Sequence, residues 1–168
     1  MLPHKPYITA VCQRLNAARM KPAEWWIDDA ETRGMYRYLN AVITLDPSGT
    51  HDDMPQDIPS GTPWPHGLLL IWEWHTGREE DIERGAAWTF AGLKADGSNE
   101  YPTSLSVHGY AAPAAMVEAA RKVINHEIKP GHFHNFGAPG WDGGLIGESW
   151  ERADRLEAAC AEWETTRA

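Results

Sequence analysis

The sequence predicts an α+β fold in which one antiparallel sheet of four to five strands, connected as a meander, carries an N-terminal helix and two C-terminal helices. A stretch with helical spacing comes first, four or five strand-like stretches follow, and two further helical stretches complete the order. No helical stretch separates the strands, and strands joined without crossover helices pair antiparallel. The helices must then cover one face of a single sheet.

The N-terminal part is predicted to contain one helix and two strands. The helix runs from about residue 5 to residue 19, where apolar side chains recur three or four positions apart and Pro6 suits the first turn. Two strands follow at Trp25–Asp28 and Met35–Leu45, which are rich in aromatic and β-branched residues. Gly34 is the residue through which they are joined.

A long loop is predicted at about residues 47–65, because five prolines in this stretch leave no regular spacing. Connections of this length are unusual in a compact domain, so the segment is interpreted as a mobile loop or a functional lid. No internal repeat or linker interrupts the rest of the sequence. The chain, residues 1–168, is therefore expected to form a single globular domain.

The second half is predicted to contain a hairpin, a short strand and two helices. The hairpin joins Gly67–His75 to Ala86–Leu93 through a polar tip, and a short strand follows at Thr103–His108. A helix begins at Pro113, because proline suits the first turn and one apolar stripe follows it. The last helix begins at about Glu148.

The charge pattern argues against direct binding of nucleic acid. The formal net charge is −9 and the pI is about 5.3, whereas neutralising phosphates requires clustered lysine and arginine. Acidic residues group instead at 24–31, 52–57 and 79–83. Such groups are most often solvated faces, and the alternative is a surface that imitates nucleic acid and binds a basic partner.

Composition predicts a cytoplasmic globular protein that does not associate with membranes. The sequence is 42% hydrophobic and 23% charged, and its longest apolar run, Gly67–Trp72, is far shorter than the roughly 18 residues of a membrane-spanning helix. The N-terminus lacks the apolar region of a signal peptide. Cys12 and Cys160 lie in helical stretches and are expected to be small buried side chains rather than a disulfide.

Nine tryptophans against three phenylalanines indicate either a core built around indoles or a ring-lined recognition surface. Alternate strand residues divide into an aliphatic set that suits helix packing and an aromatic set that lines the opposite face if the strand registers agree. The aromatic set is the predicted binding surface and consists of Tyr36, Tyr38, Trp72, Trp74, Trp88 and Phe90. The alternative is a second apolar layer that the C-terminal helix buries. Trp141, on a Gly- and Pro-rich segment, either plugs the sheet or faces a ligand.

Two pairs of residues are weak candidates for chemistry. His132 and His134 can face one metal ion from an extended loop, but zinc needs three or four protein ligands. Nothing in the sequence brings the available partners near, so two ordinary loop histidines are favoured; those partners are His75, His108, His126, Glu73 and Asp142. Glu73 and His75 share one strand face and can act as acid and base, unless they lie at a solvated strand end. Phosphate-binding loops and nucleophile elbows are missing.

Across residues 64–124, the strings GLLLIWEWHTG, AAWTFAGLKADGS and LSVHGYAAPAAMVEAARKVI resemble a family of small uncharacterised actinobacterial proteins, often carried with mobile elements or phages. That family has no assigned activity and no assigned catalytic residues. The resemblance therefore implies a bacterial or phage cytoplasmic context and transfers no residue roles.

The leading hypothesis is a non-enzymatic binding or regulatory protein, in which the aromatic sheet face and the loop at 47–65 engage a protein partner or a small ligand. It needs no cofactor, and the last helix would also suit pairing with a second copy. One alternative is a small hydrolase that uses zinc or another transition metal at His132 and His134 with Glu73 or His75. Another is an acidic inhibitor that mimics nucleic acid, such as a phage counter-defence protein.

Overall fold

The computed structural model describes residues 2–32, 34–46, 64–125, 127–128 and 144–166. Its elements in chain order are α1 (Lys5–Ala17), β1 (Glu24–Thr32), β2 (Tyr36–Leu45), β3 (Leu68–His75), β4 (Gly85–Gly92), β5 (Thr103–Ser104), α2 (Pro113–Ile124) and α3 (Ala153–Thr166). The strands form one sheet in the order β1-β2-β3-β4-β5, and every neighbouring pair is antiparallel. The predicted α+β meander with one N-terminal and two C-terminal helices is therefore confirmed.

The strand bounds differ from the predicted ones where the chain finds other backbone partners. β1 is longer than predicted and extends to Thr32, directly before the turn that contains Gly34. β5 is shorter, because the Ser106 carbonyl accepts a hydrogen bond from the Ile146 amide at 2.6 Å as the chain leaves the sheet. The final helix begins at Ala153, since the Glu148 carbonyl is hydrogen-bonded to the Ala112 amide at 2.7 Å.

The two faces of the sheet have different roles. Strand β3 alternates strictly, so that Leu68, Leu70, Trp72 and Trp74 are buried and the residues between them are only partly buried. We call the buried side the helix face, because Tyr7 of α1 contacts the Trp72 ring and Trp163 of α3 contacts the Trp74 ring there. The opposite side is called the open face.

Among the described helices none is long and apolar enough to cross a membrane.

The prediction that all six aromatic residues share one sheet face is wrong. The register pairs Tyr38 with His75 and Leu39 with Trp74, so Tyr38 and Trp74 lie on opposite faces. Trp72 pairs with Trp88 on the helix face. The rings of Trp72, Trp74, Trp88 and Phe90 are at most 2% exposed and belong to the core. They are therefore not a recognition surface.

The buried indoles tie the helices and loops to the sheet through their N–H groups. The Trp72 Nε1–H donates to the Gly109 carbonyl at 2.7 Å, and the Trp88 Nε1–H donates to the Tyr7 hydroxyl at 3.0 Å. A side chain at position 109 would place its Cβ 2.0 Å from the Ala86 carbonyl oxygen, so only glycine allows this approach. The excess of tryptophan is thus largely used in the core.

A buried histidine completes the packing at the start of α1. His4 is 0% exposed and its ring stacks on Trp72 with centroids 5.1 Å apart. Its Nε2–H donates to the Asn40 carbonyl at 2.8 Å, and its Nδ1 has no hydrogen-bond partner among the described residues. Burial lowers the pKa of His4 and outweighs the Asn40 carbonyl, Asp29 and Asp28, which favour the charged form. The neutral imidazole is therefore the form that fits the core.

Replacing Trp72 with Ala is expected to lower the free energy of unfolding by about 3–5 kcal/mol, because a fully buried indole and its hydrogen bond are lost. Replacing Trp26, whose side chain is 45% exposed, is expected to change it by no more than about 0.5 kcal/mol. Urea unfolding followed by circular dichroism measures both values. Equal costs at the two positions would contradict the assignment of Trp72 to the core and Trp26 to the surface.

Stability is expected to fall as the pH drops below about 6.5, the ordinary pKa of histidine, because the unfolded chain then binds a proton that folded His4 resists. His4→Gln keeps a donor for the Asn40 carbonyl but cannot be protonated. Its urea midpoint should therefore fall less than that of the wild type between pH 7.5 and pH 5. An identical fall in both proteins would show that other groups cause the acid sensitivity.

Candidate functional site

Strand β1 forms an edge of the sheet. It spans nine residues and pairs with β2 on one side, and among residues that the structure describes no strand pairs with its other side. Gly34 has a φ of +71° in the turn that connects β1 to β2, a conformation that glycine adopts without strain. An edge strand of this length presents a row of backbone N–H and C=O groups that can pair with another chain.

Two neighbouring tryptophans mark this edge. Trp25 is 37% exposed and Trp26 is 45% exposed. Because successive side chains of a strand point to opposite faces, Trp25 lies on the helix face opposite Ile43, whereas Trp26 lies on the open face opposite Val42. Large exposed rings at an unpaired edge are typical of surfaces that bind other proteins.

The same strand is strongly acidic. Its nine residues EWWIDDAET contain four carboxylates and no lysine or arginine. Asp29 is compensated, because Arg37 of β2 pairs with it at 3.1 Å while lying 4.5 Å from the centroid of the Trp163 ring. Asp28 accepts the backbone N–H of Asp29 at 2.8 Å, and within the described ranges it has no ion-pair partner. Uncompensated negative charge therefore remains along this edge.

Cross-strand rows continue the polar surface from β1 across the open face. In one row, Asn40 of β2 lies between Asp28 of β1 and Glu73 of β3. In the neighbouring row on the same face, Tyr38 lies between Ala30 and His75. Neighbouring strands lie about 4.8 Å apart, so Asp28 and Glu73 flank Asn40 at roughly 10 Å from each other. The open face therefore carries a polar strip perpendicular to the strands.

The structure brings together the two residues that the sequence singled out as acid and base. The His75 Nε2 lies 3.0 Å from the Glu73 Oε1, and Tyr38 stacks on the His75 ring with centroids 4.9 Å apart. Partial burial raises the pKa of Tyr38, and the negative charges of Glu73, Asp28 and Glu79 raise it further. A hydrogen-bonded imidazole and carboxylate can hold a proton, but a catalytic role for this pair stays a prediction.

The other predicted site residues fall into three groups. The four core rings described above are buried, and Tyr36 and Tyr38 lie partly buried on the open face. The predicted metal ligands His132 and His134, together with Trp141 and residues 47–63 of the predicted loop, lie outside the described residues. Within the described part of the chain, no three His, Cys, Asp or Glu side chains converge to hold a metal ion.

Sequence reasoning missed Trp25 and Trp26 as site residues. The signal was present, because a pair of adjacent tryptophans lies inside the acidic group at 24–31. The predicted strand at this place was four residues long, and its position at the sheet edge was not predicted. Without that position, the two rings were indistinguishable from core residues.

The two cysteines do not contribute to this surface. Cys12 and Cys160 are free and buried, as expected from their positions in helical stretches. Burial raises the pKa of each thiol to about 12, which keeps both in the neutral form. They pack as small apolar side chains and offer no activated nucleophile.

Comparisons of the chain with protein-family models, with curated proteins and with solved structures found no match. The resemblance across residues 64–124 therefore stays a prediction.

Replacing Glu73 with Gln is expected to lower the pKa of Tyr38, because it removes one of the negative charges that oppose tyrosinate formation. Titration of the tyrosine Cζ resonances by carbon NMR measures this pKa. Glu118→Gln is the matched control, since Glu118 lies exposed on α2 and carries the same charge. An unchanged Tyr38 titration in Glu73→Gln would contradict the placement of Glu73 beside Tyr38.

Proposed function

We propose that the protein is a non-enzymatic binding protein that takes up an extended, basic segment of a protein partner as an additional strand beside β1. The observation that carries the proposal is the nine-residue edge strand with two exposed tryptophans and four carboxylates. The proposal keeps the hypothesis of a binding protein and moves the surface from the buried rings to the edge of the sheet.

The backbone of β1 supplies the first part of the recognition. In strand addition, main-chain hydrogen bonds contribute affinity and side-chain contacts at alternate positions contribute specificity. Trp25 and Trp26 offer one apolar ring on each face, so an added strand can bury its own apolar or long aliphatic side chains against both. A further strand beside β1 would shield these rings from solvent.

The charge of β1 selects the partner chemistry. A second copy of this chain pairing through its own β1 would bring two acidic strands together, and like charges on neighbouring strands are destabilising. A segment that carries lysine or arginine gains attraction instead. The overall charge of −9 steers such a segment toward the protein over longer distances.

The related hypothesis of an acidic mimic of nucleic acid predicts a different dependence on the backbone. A mimic would hold basic side chains by charge alone and would tolerate a partner whose N–H groups are blocked. Strand addition requires those N–H groups. Charge and backbone are therefore the two variables that the experiment must separate.

The test uses a fluorescein-labelled peptide of about ten residues in which lysine and threonine alternate with valine. Fluorescence anisotropy is expected to detect binding to the full chain at about 50 mM NaCl and weaker binding at about 500 mM NaCl, because salt screens exposed charges. Methylation of alternate backbone nitrogens, which keeps the charge, should weaken binding by roughly tenfold or more.

The matched variants are Trp26→Ala and Tyr101→Ala, since both rings are exposed but Tyr101 lies far along the chain from β1. Only Trp26→Ala should weaken binding, by roughly tenfold. If the methylated peptide bound as tightly as the unmethylated one, strand addition would be wrong and the peptide would be recognised by its charge. A dimer in sedimentation analysis that excludes the peptide would identify a second copy as the occupant of β1, and failure of the peptide to bind a monomeric chain would overturn the proposal.

A further inference from the structure

We infer that the partner segment carries two basic side chains three positions apart, one held by Asp28 on the open face and the other by Glu31 on the helix face. The inference rests on the proposed addition of a strand beside β1. It specifies the spacing of the basic residues in the partner segment and not only the total charge of that segment.

The carboxylates of β1 are not equivalent. Asp29 is already paired with Arg37 at 3.1 Å, and a basic side chain placed opposite Asp29 would meet the Arg37 guanidinium as well. Asp28 and Glu31 have no ion-pair partner in the parts of the chain that the structure describes. They are therefore the fifth and eighth positions of the strand, at which an added positive charge finds a carboxylate outside any ion pair among the described residues.

The pleat of the strand places these two carboxylates on different faces. Asp28 pairs with Asn40 and shares the open face with it, whereas Glu31 pairs with Arg37 and shares the helix face. Residues of an added strand lie opposite those of β1 one by one. Two basic residues separated by two others would therefore point to opposite faces and reach Asp28 and Glu31 respectively.

The surroundings of the two carboxylates differ as well. Asp28 continues into the row that contains Asn40 and the partly exposed Glu73, so the open face is negative beyond the edge itself. Glu31 lines an open depression of about 610 Å³ together with Asp29, Ala30 and Arg37. The depression provides space for a long side chain, but the nearby Arg37 reduces the attraction. The basic residue opposite Asp28 should therefore contribute more to binding.

The remaining acidic residue of the strand, Glu24, stands at its first position and lies on the open face opposite Thr44. A partner that contacts both Asp28 and Glu31 reaches Glu24 as well only by covering nearly the whole of β1. The charge of Glu24 then extends the interface without altering the spacing of three between Asp28 and Glu31.

The experiment measures a matrix of couplings. A labelled peptide of about ten residues contains two lysines three positions apart in a threonine and valine background, and each lysine is replaced in turn by glutamine. Each peptide is titrated by anisotropy against wild type, Asp28→Asn and Glu31→Gln, with Glu118→Gln on α2 as the charge-matched control. Combining each peptide variant with each protein variant in a double-mutant cycle isolates the interaction of each lysine with each carboxylate.

One lysine should couple to Asp28 and the other to Glu31, each by roughly two- to fivefold in affinity, as expected for exposed ion pairs. The crossed combinations and Glu118→Gln should show no coupling. Which lysine couples to Asp28 also reports whether the added strand runs parallel or antiparallel to β1. The pair that contains Asp28 should give the larger coupling.

Equal coupling of both lysines to both carboxylates would overturn the inference, because it would mean that only total charge is recognised. If backbone methylation of the peptide still blocked binding in that case, strand addition would be supported, but the spacing of the two basic residues would not. A peptide that fails to bind wild type at all would overturn the pattern together with the proposed function.

Discussion

Four hydrogen bonds from buried indole N–H groups hold distant parts of this fold together, whereas the buried Trp163 Nε1–H has no partner among the described residues. A buried tryptophan that lacks an acceptor for its N–H loses much of the stabilisation that its burial provides. The acceptors here come from elements far apart in the sequence, namely the Gly109 carbonyl, the Tyr7 hydroxyl of α1, the Val123 carbonyl of α2 and the Glu157 carboxylate of α3. Helices α1 and α3 are thus hydrogen-bonded to strand residues Trp88 and Trp74, whereas α2 accepts from Trp64, which precedes β3 and contacts the Phe90 ring of β4.

This use of one face determines what remains for binding. Because the helices pack where Trp72 and Trp74 lie, the open face and the edge at β1 keep side chains that are partly or fully exposed in the described part of the chain. Arg37 marks the boundary between the two regions, since it contacts the Trp163 ring of α3 and pairs with Asp29 of β1.

Local patterns predicted the elements, but they could not predict the alignment of strands. The hairpin of β3 and β4 and the helix at Pro113 follow from periodicity and turn chemistry, and both are observed. Alternation divides each strand into two sets of residues, yet it does not say which set of one strand meets which set of the next. A shift of one residue exchanges the faces. Alternation alone therefore groups Tyr38 with Trp74, although the register places Tyr38 beside His75. For the same reason it does not show that Trp25 and Trp26 lie on an edge strand.

The acidic residues of β1 can serve two physical purposes at once. An unpaired edge strand with two exposed tryptophans is prone to pair with another copy, and natural sheets commonly limit this with charged side chains on the edge. Carboxylates of one sign oppose self-pairing but attract a basic strand, so in the proposed binding mode the same residues discriminate between the two occupants. In the proposed binding mode these charges decide which strand pairs with β1, whereas a core residue such as Trp72 decides the stability of the sheet to which β1 belongs.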